Sequence, residues 1–167
     1  MSITDQELDL LRTKAIDAKD FAYCPYSNFR VGACFLSTDG TYYSGANVEN
    51  ACYPVGTCAE RCALAGAVAS CKRPQIPKFK ALAVATDISP PASPCGMCRQ
   101  FINEFCGSTL PIYMYDKDNQ YVMKTLGDLL PMSFGPQDLL PPRDRETETE
   151  TETGTEVGKR TGDGKER

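Results

Sequence analysis

The sequence predicts an α/β fold, a three-layer α/β/α sandwich built on a mixed sheet of about five strands. Two observations carry that expectation. Helix and strand signals run along the chain in the order α-β-β-α-β-α-β-β. Strand–helix–strand units imply right-handed crossovers, which lay helices over both faces of a sheet.

The segment "TDQELDLLRTKAIDAKDFA" opens the chain as a helix. Thr4 and Glu7 form a capping box, and Leu8, Leu11, Ala15 and Ile16 recur at helical spacing. Pro25–Asn28 reads as a turn. "FRVGACFLSTDGTYYSGAN" reads as two strands reversing at Asp39-Gly40, a strong hairpin signal. Cys58 to Cys71 is rich in Ala and Leu without proline, so it predicts a helix ended by "Lys72-Arg73-Pro74". "FKALAVATD" is an apolar run that suits a buried strand. "PCGMCRQFINEFCG" predicts a helix between Pro94 and Gly107. "LPIYMYD" and "QYVMKT" are short strands, and "TLGDLLP" is a short helix capped by Thr125.

The 167 residues suit one domain with a real core. Residues 1–142 are expected to fold. Residues 143–167 form an acidic Thr/Glu-rich tail with one apolar residue, Val157, too few to offset chain entropy, so disorder is expected there. Net charge is −4, which argues against nucleic acid and against a polybasic membrane contact. The N-terminus does not read as a signal peptide, and no apolar run approaches the roughly 18 residues of a membrane span. Nine cysteines in such a chain point to a reducing, cytoplasmic setting with free thiols or a metal. There is no histidine. That excludes a Ser-His-Asp triad and a Cys-His dyad, and any protein-bound zinc must rest mainly on sulfur.

Two cysteine groups stand out: "TCAERC", with Cys58 and Cys62, and "PCGMC", with Cys95 and Cys98. All four together would make a closed structural zinc site. Alternatively, Cys58, Cys95 and Cys98 hold zinc and leave an open position, with Glu60 as proton carrier beside it. Cys58 and Cys95 fall at predicted helix starts, where the helix dipole stabilises a thiolate, whereas Cys62 lies a turn deeper as an ordinary core thiol. Three thiolates overload a zinc ion with negative charge. Arg61 and Arg99 adjoin ligand cysteines and could return positive charge, unless they are ordinary exposed helix arginines.

"TCAER" followed by "PCGMCRQ" resembles the signature of zinc-dependent nucleoside deaminases. "YSNFRVGA", "GANVENACYP" and "LLPMSFGPQDL" extend the resemblance to cytidine deaminases of the small homotetrameric type, over about residues 5–140. The resemblance implies one zinc per chain on Cys58, Cys95 and Cys98, with Glu60 as proton shuttle and Arg61 neutralising the thiolates. It implies that Asn47 and Glu49 hold the ribose, Phe29 packs on the base and the Ala59 backbone fixes the base edge. It further implies that Tyr53 and Phe134, which would otherwise read as core aromatics, complete a neighbouring subunit's pocket. The activity implied is hydrolytic deamination of cytidine and deoxycytidine in pyrimidine salvage. Rival readings are a deaminase of another cytosine compound such as blasticidin S, a structural zinc module, and a nucleic-acid editor. The last is disfavoured by the absence of a basic stripe.

Overall fold

Thr4 starts the first helix as its spacing to Glu7 predicts. In a computed structural model that describes residues 2–72 and 75–139, the Glu7 N–H donates to the Thr4 hydroxyl at 3.2 Å and the Thr4 N–H donates to the Glu7 carboxylate at 2.8 Å. Helix α1 runs Asp5–Ala18 and tightens into a 3₁₀ turn over Lys19–Phe21. Strands β1 (Val31–Ser37) and β2 (Tyr42–Ala46) reverse through Asp39-Gly40, with Gly40 at φ 86° in the left-handed region that glycine tolerates. Helix α2 (Ala59–Ala69), strand β3 (Phe79–Thr86) and helix α3 (Gly96–Asn103) follow. Strands β4 (Pro111–Tyr115) and β5 (Tyr121–Thr125) lead into the short helix α4 (Leu126–Leu129), which Thr125 and Asp128 cap reciprocally. Helices α2 and α3 stop a few residues short of the predicted ends. The expected stop at Arg73-Pro74 and the expected tail at 143–167 lie outside the described residues. A second unit begins at Pro136, and its described residues include a 3₁₀ turn over Pro136–Asp138.

The sheet has five strands in the order β2-β1-β3-β4-β5. Strand β1 is antiparallel to β2 and β3, β3 is parallel to β4, and β4 is antiparallel to β5. Helix α2 therefore links the parallel strands β2 and β3 across β1, and α3 links β3 to β4. The period-two alternation of the central strands feeds two separate cores. Ala33, Phe35, Leu82, Val84, Ile112 and Met114 pack with Leu64 of α2 and Ile102 of α3. Cys34, Leu36, Ala81, Ala83, Ala85 and Tyr113 pack with Leu11 and Ala15 of α1. The three predicted layers are thus present. Leu64 and Ile102 are fully buried, and each contributes about 2–3 kcal/mol by leaving water.

Small residues set the closest approaches. A Cβ on Gly45 of β2 would stand 2.4 Å from the Ala63 nitrogen and 2.8 Å from the Ala59 carbonyl oxygen. Only glycine lets β2 reach the α2 backbone there. Gly32 plays the same part under α1, where a Cβ would meet the Ala15 carbonyl oxygen at 2.1 Å. Among the described residues no helix is long and apolar enough to cross a membrane.

Candidate active site and metal centre

The two crossovers deliver the N-termini of α2 and α3 to one place. Cys58 caps α2, Cys95 caps α3, and Cys98 sits buried in the first turn of α3. The three sulfurs lie within 4.8 Å of one another, with Cys58–Cys95 at 3.9 Å and Cys95–Cys98 at 3.6 Å. Thiolates at about 2.3 Å from a tetrahedral zinc stand roughly 3.8 Å apart, so the observed spacing suits one zinc ion. Cys62 is outside the cluster. Its sulfur faces the Thr57 carbonyl oxygen at 4.0 Å, and it is half-buried, where the sequence placed it in the core. Among the described residues, the group able to hold a metal is Cys58, Cys95 and Cys98. That removes the basis for a closed four-cysteine site.

The electrostatics favour negative charge on Cys58. Hydrogen bonding with Cys98 holds the Cys58 thiol down to about 5, assisted by Arg61 and Cys95. The same hydrogen bond, with burial behind it, pushes Cys98 up. The Arg61 guanidinium donates to the Gly56 carbonyl at 3.2 Å and reaches the Cys58 sulfur at 3.9 Å. Arg99 is committed elsewhere. Its three nitrogens donate to the Pro94 carbonyl (2.7 Å), the Leu129 carbonyl (2.8 Å) and the Ser93 hydroxyl (2.8 Å), so it fastens the loop before α3. Glu60, one residue into α2, is only 4 % exposed. Burial raises its carboxyl above the ordinary range, and the charge on Cys58 adds to the rise.

Cys58, Cys95 and Glu60 line a cavity of about 440 Å³ together with Phe29, Asn47 and Glu49, and with Val84 and Thr86 from β3. The size falls within the roughly 300–1,000 Å³ of small-molecule sites.

A sequence profile described as "Cytidine and deoxycytidylate deaminase zinc-binding region" matches residues 5–114. The cytidine deaminase of Sporosarcina psychrophila is 43 % identical over 133 residues, 80 % of this chain and 95 % of that one. The chain belongs to the cytidine deaminase family. It is a zinc-dependent hydrolase of that family, and its fold agrees. The crystal structure of cytidine deaminase from Burkholderia pseudomallei superposes with a TM-score of 0.71 at 40 % identity, covering 79 % of this chain and 100 % of that one. Cytidine deaminase from Mycobacterium tuberculosis gives 0.66 at 37 % identity, covering 80 % and 99 %.

The remaining residues singled out in the sequence divide into two groups. Ala59 is fully buried at the start of α2, beside the cluster. Asn47 ties the segment entering β1 to the end of β2: its Nδ2 donates to the Phe29 carbonyl and its Oδ1 accepts from the Val31 N–H, both at 2.8 Å. Glu49 accepts the N–H groups of Tyr26 and Ser27 and the Ser27 hydroxyl. By contrast, Tyr53 and Phe134 are not core aromatics. They are 73 % and 60 % exposed and stand apart from this cavity. The core reading fails because residue type alone does not tell an exposed aromatic from a buried one. Tyr53 instead lines an adjoining cavity of about 320 Å³ with Tyr26, Ser27 and Glu49. Sequence reasoning missed Ser27, Thr86, Ala92 and Ser93 as lining residues. For Ser27 there was a signal, since the Pro25–Asn28 turn directly precedes Phe29.

Proposed function

We propose that the protein hydrolyses cytidine and deoxycytidine to uridine and deoxyuridine with release of ammonia, as a step of pyrimidine salvage in the cytoplasm. The observation that carries this reading is a buried carboxyl, Glu60, lining the same cavity as Cys58 and Cys95 and as Phe29, Asn47 and Glu49. In this proposal Cys58, Cys95 and Cys98 hold one zinc ion. When bound, zinc supplies the Lewis acidity that makes water nucleophilic near neutral pH.

The chain's own residues do the rest. Glu60 takes a proton from the water that adds to carbon 4 of the pyrimidine. It passes a proton to the adjacent ring nitrogen, then serves the departing ammonia. A carboxyl raised by burial suits this traffic, since it takes and returns protons closer to neutral pH than an ordinary glutamate. Arg61, beside the Cys58 sulfur, offsets thiolate charge. Phe29 packs on the base, the Ala59 backbone fixes its edge, and Asn47 and Glu49 hold the sugar. The chemistry requires no histidine, in keeping with a chain that has none.

The working unit in this reading is a homotetramer, in which the exposed Tyr53 and Phe134 complete a neighbouring subunit's pocket. The ligand is a small nucleoside, with neither nucleic acid nor membrane as partner. Nine free cysteines suit a reducing compartment. Incubation with cytidine, following ammonia and uridine, tests the activity, and no product would refute it. Sedimentation should give about four times the 18.3 kDa chain mass. A fully active monomer would refute the shared pocket.

A further inference from the structure

One serine links the Glu49 carboxylate to the backbone of Phe29. Glu49 Oε2 accepts the N–H of Tyr26 at 2.8 Å and of Ser27 at 3.2 Å, while Glu49 Oε1 accepts the Ser27 hydroxyl. The same Ser27 Oγ accepts the Phe29 N–H at 3.0 Å. Phe29 is held from its other side by Asn47, through its carbonyl. The polarity of this chain is fixed by valence. A serine hydroxyl has one proton, and an ionised carboxylate can only accept it, so the serine lone pair must take the Phe29 N–H. Hydrogen bonding from Ser27, then from the Tyr26 and Ser27 amides, keeps Glu49 ionised below the usual carboxylate range. The two carboxylate oxygens are therefore unlike. Oε2 already accepts two donors; Oε1 accepts one and keeps capacity for another.

We propose that Ser27 is a positioning residue for nucleoside recognition: it presents Glu49 Oε1 to a sugar hydroxyl and, with the same oxygen, holds the Phe29 backbone that places the ring under the base. The inference rests on the proposed nucleoside deaminase function. It explains why Ser27 lines both the cavity with Cys58 and Glu60 and the adjoining cavity with Tyr53. Ser27 touches neither the sulfur cluster nor Glu60 in the hydrogen-bond pattern, so its loss falls on binding and not on proton transfer.

The test is Ser27→Ala, with Ser27→Thr as the variant that keeps the hydroxyl. Ser27→Ala should raise KM for cytidine about tenfold while kcat stays within about twofold, with zinc content and thermal midpoint as in the parent. Ser27→Thr should recover most of the lost affinity. In a Glu49→Ala background, assayed for kcat/KM at raised enzyme concentration, adding Ser27→Ala should cost clearly less than it does in the parent, about two- to threefold, because of the two contacts that Ser27 makes only the one to the Phe29 N–H remains. A parental KM in Ser27→Ala overturns the proposal. So does a penalty equal in both backgrounds, or a loss carried by kcat. A parent enzyme that releases no ammonia from cytidine overturns instead the function on which the inference rests, and the two failures are distinguished by that first assay.

Discussion

Replacing Glu60 by glutamine removes a titrating group and little else. The two side chains have the same length and shape, and Glu60 is 4 % exposed against a packed helix start, so the cavity keeps its form. No methylene is lost, hence no cavity term arises. What disappears is a group that can both accept and return a proton. General acid–base catalysis by one side chain is worth about 10²–10⁴ in rate, or about 3–5 kcal/mol of barrier at 1.36 kcal/mol per decade. Glu60 is asked to act at addition and again at ammonia departure, so the upper half of that range is expected for kcat. KM should change little, because the proposed function places the sugar and base contacts on other residues. The assay is ammonia release and uridine formation from cytidine, with zinc measured per chain in the same sample. A Glu60→Gln enzyme that keeps its zinc and turns over within about tenfold of the parent would refute the proton-shuttle argument. Loss of zinc from this variant would show that the carboxyl helps hold the metal, a role that the three-sulfur cluster does not require.

The cysteines separate cleanly. Cys58→Ala should lose zinc or bind it weakly, whereas Cys62→Ala should keep full zinc and substantial activity at a cost below about 2 kcal/mol, measured by metal analysis and thermal melting. Acid stability reports the Glu7–Lys80 pair, which bridges α1 and β3 at 2.7 Å. Lys80, then Thr4, hold Glu7 down from 4.5 to about 2. A depressed carboxyl contributes its stability in full above the ordinary value and loses it as pH falls through the folded one. The difference in thermal midpoint between the parent and Lys80→Met should therefore be constant above about pH 5 and shrink from about pH 4.5 towards about pH 2; a difference that does not change with pH would refute the pairing. Deleting residues 143–167, which carry Val157 as their one apolar side chain, should leave activity and thermal midpoint nearly unchanged.

Element types were legible because caps and periodicity are local. Thr4 with Glu7, Asp39-Gly40 and Thr125 each name a boundary within four residues, and each boundary is present. Cys58 and Cys95 were legible as helix-start thiols for the same reason. What local sequence does not encode is convergence. Glu49 and Ser27 are 22 residues apart, and their hydrogen bond exists because β2 returns beside the turn that enters β1. Thr86 lines the cavity through strand parity, being on the β3 face shared with Val84. Arg99 shows the limit from the other side. Adjacency to Cys98 suggested charge compensation, but the helix turn carries its guanidinium to the Pro94 and Leu129 carbonyls.

The backbone-to-backbone contact between Gly45 and α2 has a consequence for redesign. Ala59, Glu60 and Cys58 all ride on the helix turn that this contact seats, and no side chain stands between to absorb an error. A bulkier residue at 45 must push the helix start outward, carrying a sulfur and the carboxyl away from Cys95 and Cys98, which are anchored on a different helix. The defect would surface as poor metal retention in a chain whose strands still pair, so a screen for folded protein alone would pass it. Attempts to admit a larger base should leave this rail untouched. They have freer ground at Ala92, in the loop before α3 that forms part of the cavity wall, than at Ser93, whose hydroxyl Arg99 holds.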